Sequence, residues 1–272
     1  MTISPTYGMI IPGEQPAQIN VTVTIDNNTA QLINSGREVL EDILILRLEN
    51  GRDYYITVSA TYARSCFGMT IDELVMYADP IRTIPLDPIQ RVEKHDISPT
   101  HALCVPKELW RLVDSMYEKG LNEPDLFFTP GIPAEVTQIR ECLDTGAPFG
   151  PFSVHSYVET FERFLSSLAT PIVPSALFPT VEVDSQSIQG MARKFLEDLP
   201  PIHYNVFVYI VSFFREALLF RESNKLTAAK LARICLKYCS PVPSTTPLDS
   251  ITMQRRAGMQ LIFLHLLETS SI

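Results

Sequence analysis

The chain has 272 residues, 31 acidic against 22 basic side chains for a net charge of −9, and 46% hydrophobic residues. That length buries the core of one large or two ordinary domains, and the acidic balance excludes a protein that lives by neutralising nucleic-acid phosphates, which needs clustered Lys and Arg. The five cysteines, Cys66, Cys104, Cys142, Cys235 and Cys239, are odd in number and scattered, which fits reduced thiols rather than a disulfide framework.

The N-terminus shows no basic region followed by an apolar core and a small-residue cleavage site, so secretion is not expected. Ile19, Val21, Val23 and Ile25 alternate with polar residues and predict a strand with one buried face. A second strand is predicted over Asp42–Glu49 and a third over Asp53–Ala60. Asn50-Gly51 between them supplies a tight hairpin turn, which makes the two antiparallel neighbours.

Four pieces in order, Leu32-Ile33-Asn34-Ser35-Gly36, Glu41 to Leu46, Gly51-Arg52-Asp53-Tyr54-Tyr55 and Ser65-Cys66-Phe67-Gly68, resemble the ASH domain of the type II inositol polyphosphate 5-phosphatases. The resemblance implies an immunoglobulin-like sandwich of the major sperm protein type over residues 1–80, entered part-way. It also implies Rab GTPases as partners, with Phe67 in the contact. Taken from the residues alone, Phe67 is equally well ordinary sandwich packing. A sandwich without its first strands leaves an edge uncovered, so residues 1–80 alone are expected to be poorly soluble or to self-associate. Residues 81–104, with Pro85, Pro88 and Pro99 and no periodicity, are expected to be a linker in which His95 and His101 are solvated.

From Val105 the period becomes helical. Leu109, Leu112, Val113 and Met116 form one apolar stripe, with Trp110 beside it. Further helices are predicted at Pro133–Leu143, Val154–Leu168, Ser185–Leu199, His203–Glu222, Thr227–Tyr238 and Thr252–Leu267. The apolar run Val206–Phe214 is cut by Arg215 and Glu216, well short of the roughly 20 residues of a membrane span, and predicts a buried helix. His203 and His265 are expected in or beside the core, and His155 has no evident partner. Cys235 and Cys239 can share a helix face, but no second pair of zinc-site spacing accompanies them; neither metal nor cofactor is expected.

The loop Asp125-Leu126-Phe127-Phe128-Thr129-Pro130-Gly131, the helix from Ser153 to Pro171 and Asn224-Lys225-Leu226-Thr227 resemble a RhoGAP domain, which would span residues 105–272. The fold class expected is therefore multidomain, a partial β-sandwich followed by an all-α RhoGAP-like domain. A RhoGAP places an arginine against charge developing on the γ-phosphoryl group, a contribution of about 10³ to 10⁵ in rate. Here Phe128 occupies the position of that arginine. Lys230 stands where active members carry Asn, and Glu162 and Ser166 stand where they carry Lys and Arg, while Arg163 is expected on another side of its helix. No catalytic residue is assigned.

The same 5-phosphatases end in an inactive RhoGAP-like domain with Leu-Phe-x-Thr-Pro-Gly at this loop, opened by Val-Pro-Lys-Glu-Leu/Ile-Trp, present here at Val105–Trp110. No phosphatase motif of the form Gly-Asp-x-Asn-x-Arg or Ser-Asp-His-x-Pro occurs in the chain. The resemblance implies a non-catalytic module that binds small GTPases and, at Trp110, adaptor peptides with Phe and His anchors. The bland reading of a Trp at this spacing is core. Its expected place is the cytoplasm, on endosomal or Golgi membranes through partners. The alternative is an active Rho GTPase-activating protein whose arginine comes from elsewhere, with Arg140 the candidate.

Overall fold

The computed structural model describes residues 1–11, 13, 15–85, 103–242 and 249–269. Pro88, His95, Pro99, His101, Pro243 and Pro247 fall outside the described residues. The chain begins with β1 (Thr2–Ser4), β2 (Asn20–Thr22), α1 (Asn27–Asn34), β3 (Leu40–Leu46) and β4 (Tyr54–Ala60). Next come α2 (Ile71–Val75), a 3₁₀ turn at Ile81–Thr83, α3 (Lys107–Lys119), α4 (Pro133–Thr145) and α5 (Val154–Ser167). A second 3₁₀ turn at Ser175–Leu177 leads to α6 (Ile188–Asp198), α7 (Pro201–Leu218), α8 (Arg221–Asn224), α9 (Ala228–Cys239) and α10 (Ser250–Glu268).

Among the described residues the strands make two separate antiparallel ribbons, β1 with β2 and β3 with β4. The predicted hairpin is present, with Ile43 opposite Thr57 and Leu46 opposite Tyr54, and Asn50 takes the positive φ of its turn. Ile43, Ile45, Tyr55 and Ile56 remain exposed. The strand expected over Ile19–Ile25 is shorter, because Asp26 accepts a hydrogen bond from the Thr29 N–H at 2.8 Å and caps a helix there.

The helices follow their local signals. Pro133 and Pro201 occupy first turns, Thr227 caps α9 and Asp249 caps α10. The α3 stripe Leu109, Leu112, Val113 and Met116 is buried, as are Tyr157, Val158, Phe161, Phe164 and Leu165 of α5. His203 is buried with Nδ1 2.7 Å from the Ile172 carbonyl. Cys235 and Cys239 lie in the core with sulfurs 3.7 Å apart.

The core does not stop at residue 80. Cys66, Phe67, Met69, Ile71, Leu74, Tyr77, Ile81 and Ile84 are buried in the same apolar cluster as the helices. Residues 81–84, expected to begin a linker, instead close that core. Polar contacts hold the segment down: the Cys66 N–H donates to Asp144 Oδ1 at 2.8 Å. Arg82 Nη2 reaches Glu141 at 2.9 Å and Asp144 at 3.3 Å, and Lys107 Nζ donates to the Tyr77 carbonyl at 3.0 Å. Glu108 is fully buried 2.6 Å from Lys107 Nζ, and burial raises its carboxyl pKa.

Candidate functional site

The loop Asp125–Gly131 has a backbone that its surroundings must hold. Asp125 and Phe127 take φ of 50° and 71°, a conformation that costs a residue with a Cβ on the order of 1–3 kcal/mol. The Asp125 carbonyl accepts from the Phe128 N–H at 2.9 Å and the Thr129 N–H at 3.0 Å. The Phe127 ring is buried edge-on against Phe214 and Phe161, at centroid distances of 5.6 and 6.3 Å. With Phe127 turned inward, Phe128 faces out and is 52% exposed. At the far end the loop is pressed onto α5. A Cβ on Gly131 would stand 2.7 Å from the Ser156 Cα, and the Gly131 N–H donates to Glu159 Oε2 at 2.7 Å.

Between this loop, α5 and Tyr238 lies a cleft of about 500 Å³ lined by Phe128, Glu159, Glu162, Arg163, Ser166 and Tyr238. The first turn of α9 places Lys230 Nζ 4.9 Å from the centroid of the Phe128 ring, while Nζ also donates to the Lys225 carbonyl at 2.8 Å. Lys225 itself turns the chain with φ of 60°. Three of the four positions singled out in the sequence therefore line one cleft, and the fourth, Lys230, covers the ring of Phe128. Ser166 Oγ donates back to the Glu162 carbonyl at 2.8 Å. Burial pushes the Glu162 carboxyl up to about 7; Tyr238 and Lys237 oppose this and Glu159 adds to it.

Two expectations about arginines are overturned. Arg163 lines this cleft, with Nη2 2.5 Å from Glu159 Oε1, because its long side chain folds back one helical turn. Arg140 does not reach the loop. Its guanidinium lies over the Phe67 ring at 4.3 Å, in a different cavity of about 340 Å³ lined also by Tyr62, Ser65 and Glu141.

Phe67 is only 7% exposed, with its ring edge-on to Phe164 at 5.7 Å, so it packs on the helical core. Trp110 is 53% exposed on the outer side of α3, which departs from the bland reading of a Trp at this spacing as core. Two turns on, Tyr117 is also exposed and rests on Phe213. Sequence reading missed Glu159, which holds both Gly131 and Arg163; its spacing of four from Arg163 on a helix was the available signal.

With this geometry in view, residues 106–239 match the family model of the RhoGAP domain. Residues 1–62 match that of the inositol polyphosphate 5-phosphatase OCRL-like ASH domain. The mouse type II inositol 1,4,5-trisphosphate 5-phosphatase is 32% identical over 242 residues, which are 86% of this chain and 24% of that protein. The chain thus spans about a quarter of that relative's length. Rho GTPase-activating protein gacA of Dictyostelium discoideum is 20% identical over 97% of this chain and 68% of its own. The crystal structure of human Rho GTPase activating protein 15 superposes with a TM-score of 0.56 at 12% identity, over 75% of this chain and 90% of that one, which shows the helical fold. The chain is accordingly similar to an OCRL-like ASH domain and then to a RhoGAP domain in chain order, and similar to a type II inositol polyphosphate 5-phosphatase over most of its length.

Proposed function

We propose that this chain is a small-GTPase-docking and adaptor-peptide-binding module that holds its partners without hastening GTP hydrolysis. The observation that carries the reading is the ring of Phe128 at the cleft, capped by Lys230, where the resemblance assigns the finger arginine. A phenyl ring has neither the charge nor the donors that stabilise the transferred phosphoryl group. In this reading residues 1–80 recognise Rab GTPases, their ribbons being part of an immunoglobulin-like sandwich. Residues 105–272 take adaptor peptides at Trp110, and membrane association, endosomal or Golgi, comes through these partners. Phe67 contributes to Rab recognition from beneath, as the floor of the cavity between Tyr62 and Arg140. The direct test is single-turnover GTP hydrolysis by Rho-family GTPases with excess chain present, together with pull-down of GTP-loaded Rab proteins.

One observation favours a second reading: Arg163 is a guanidinium already inside the cleft. An active GTPase-activating protein would use it after release from Glu159. Stimulated hydrolysis that disappears in Arg163→Ala would select that reading.

A further inference from the structure

Helix α9 carries Lys230, Arg233 and Lys237 at intervals of three and four residues, which puts all three on one outward face. Arg233 and Lys237 line a cavity of about 420 Å³ between α9 and α10, together with Arg256, Gln260, Ser166 and Tyr238. Arg256 has a structural use, since Nη1 donates to the Ser240 carbonyl at 3.0 Å and Nη2 reaches the Leu236 carbonyl at 3.4 Å. It caps the C-terminus of α9. Capping does not account for the other two cations.

Among the described residues Arg233 has no ion pair or hydrogen bond, and Lys237 Nζ is 2.7 Å from the Tyr238 hydroxyl rather than in an ion pair. That hydroxyl first, with Glu162 of the neighbouring cleft, keeps the Lys237 pKa above its usual value, so it is cationic at neutral pH. Three cations therefore meet at one cavity in a chain of net charge −9. The net charge repels a diffusely anionic surface at long range, whereas guanidinium and ammonium groups at close quarters suit clustered phosphates.

We propose that this cavity binds a small polyanion carrying two or more phosphate groups, with Arg233 and Lys237 as its main anchors. Calorimetry of the full chain with inositol 1,4,5-trisphosphate and with pyrophosphate tests it. Pelleting with vesicles containing phosphatidylinositol 4,5-bisphosphate, beside phosphatidylserine vesicles of matched charge, is the second arm. Saturable binding to at least one phosphate probe is expected, weakened at least about tenfold in Arg233→Gln/Lys237→Gln and unaltered in the control Arg193→Gln, which does not line the cavity. Both variants should melt like the parent, because these side chains are exposed. Binding to the soluble probes alone supports a free metabolite, and pelleting with the phosphoinositide vesicles supports a lipid headgroup. The proposal is overturned by no saturable binding to any probe, by undiminished affinity in the double variant, or by equal pelleting with phosphatidylserine.

Discussion

Lys230 and Phe128 form a cation–π pair, ammonium to ring centroid 4.9 Å, at the mouth of the cleft where α9 faces the Asp125–Gly131 loop. At this exposure such a pair contributes about 0.5–1 kcal/mol. In the function proposed above, its larger effect is on chemistry. The charge at this end of the cleft is an ammonium tied to the Lys225 carbonyl, in place of a guanidinium free to extend toward a nucleotide.

Trp110 is exposed beside the packed stripe of its helix rather than within it, so Trp110→Ala should leave the melting temperature nearly unchanged, within about 0.5 kcal/mol of stability. If it anchors a peptide, the same change should weaken capture of a fluorescent Phe- and His-containing adaptor peptide at least about tenfold. Fluorescence polarisation and a thermal melt on the same sample separate the two effects.

Phe67→Val has a different expected outcome. Phe67 lies in the ASH-like segment, but its contact with Phe164 in α5 makes its replacement felt in the helical domain. We expect a loss of about 2–4 kcal/mol from the cavity left behind, read as an earlier urea midpoint of the whole chain. A midpoint equal to the parent's would contradict the placement of this ring.

The Glu162 carboxyl, raised to about 7 against a usual 4.5, sets a pH dependence with a definite sign. The native state holds this proton more tightly than the unfolded state does, so stability from this group is full below about 4.5 and is lost as pH rises through about 7. Glu162→Gln should remove that loss. The difference between parent and variant in urea melts should therefore grow in the variant's favour from pH 5 to pH 8; a flat difference would count against the burial of this carboxyl.

Gly131→Ala should destabilise the loop, because the added methyl would meet the backbone of α5 at Ser156 rather than a yielding side-chain end. A cost of about 1–3 kcal/mol is expected, with faster amide exchange at Gly131, whose N–H is bonded to Glu159. Retention of that protection would show that the loop shifts without losing its anchor.

Much of the helical half is legible in the sequence because local rules agree there. Pro133, Pro201, Thr227 and Asp249 mark the starts of helices whose apolar stripes have the right period. The hairpin is equally local, fixed by Asn50-Gly51. The joint between the halves is not legible, since Cys66 and Asp144 meet across 78 residues and the buried anchors from Met69 to Ile84 follow no single period. Helix α1 hid behind an alternating apolar stretch, with only Asp26 three residues before Thr29 to betray it. At the cleft, Phe128 could be singled out from its motif. The reach of Lys230 and Arg163 could not, because it depends on the left-handed turn at Lys225 and on a carboxylate one helical turn back.

The central claim is that this chain holds a GTPase and leaves its turnover alone. A single-turnover assay with GTP-loaded Rho-family proteins, run with the chain at saturating excess and with complex formation followed in the same samples, tests it most directly. The account predicts a complex whose hydrolysis rate stays within about twofold of the free GTPase. Acceleration toward the range of about 10³ that an arginine finger supplies would contradict it.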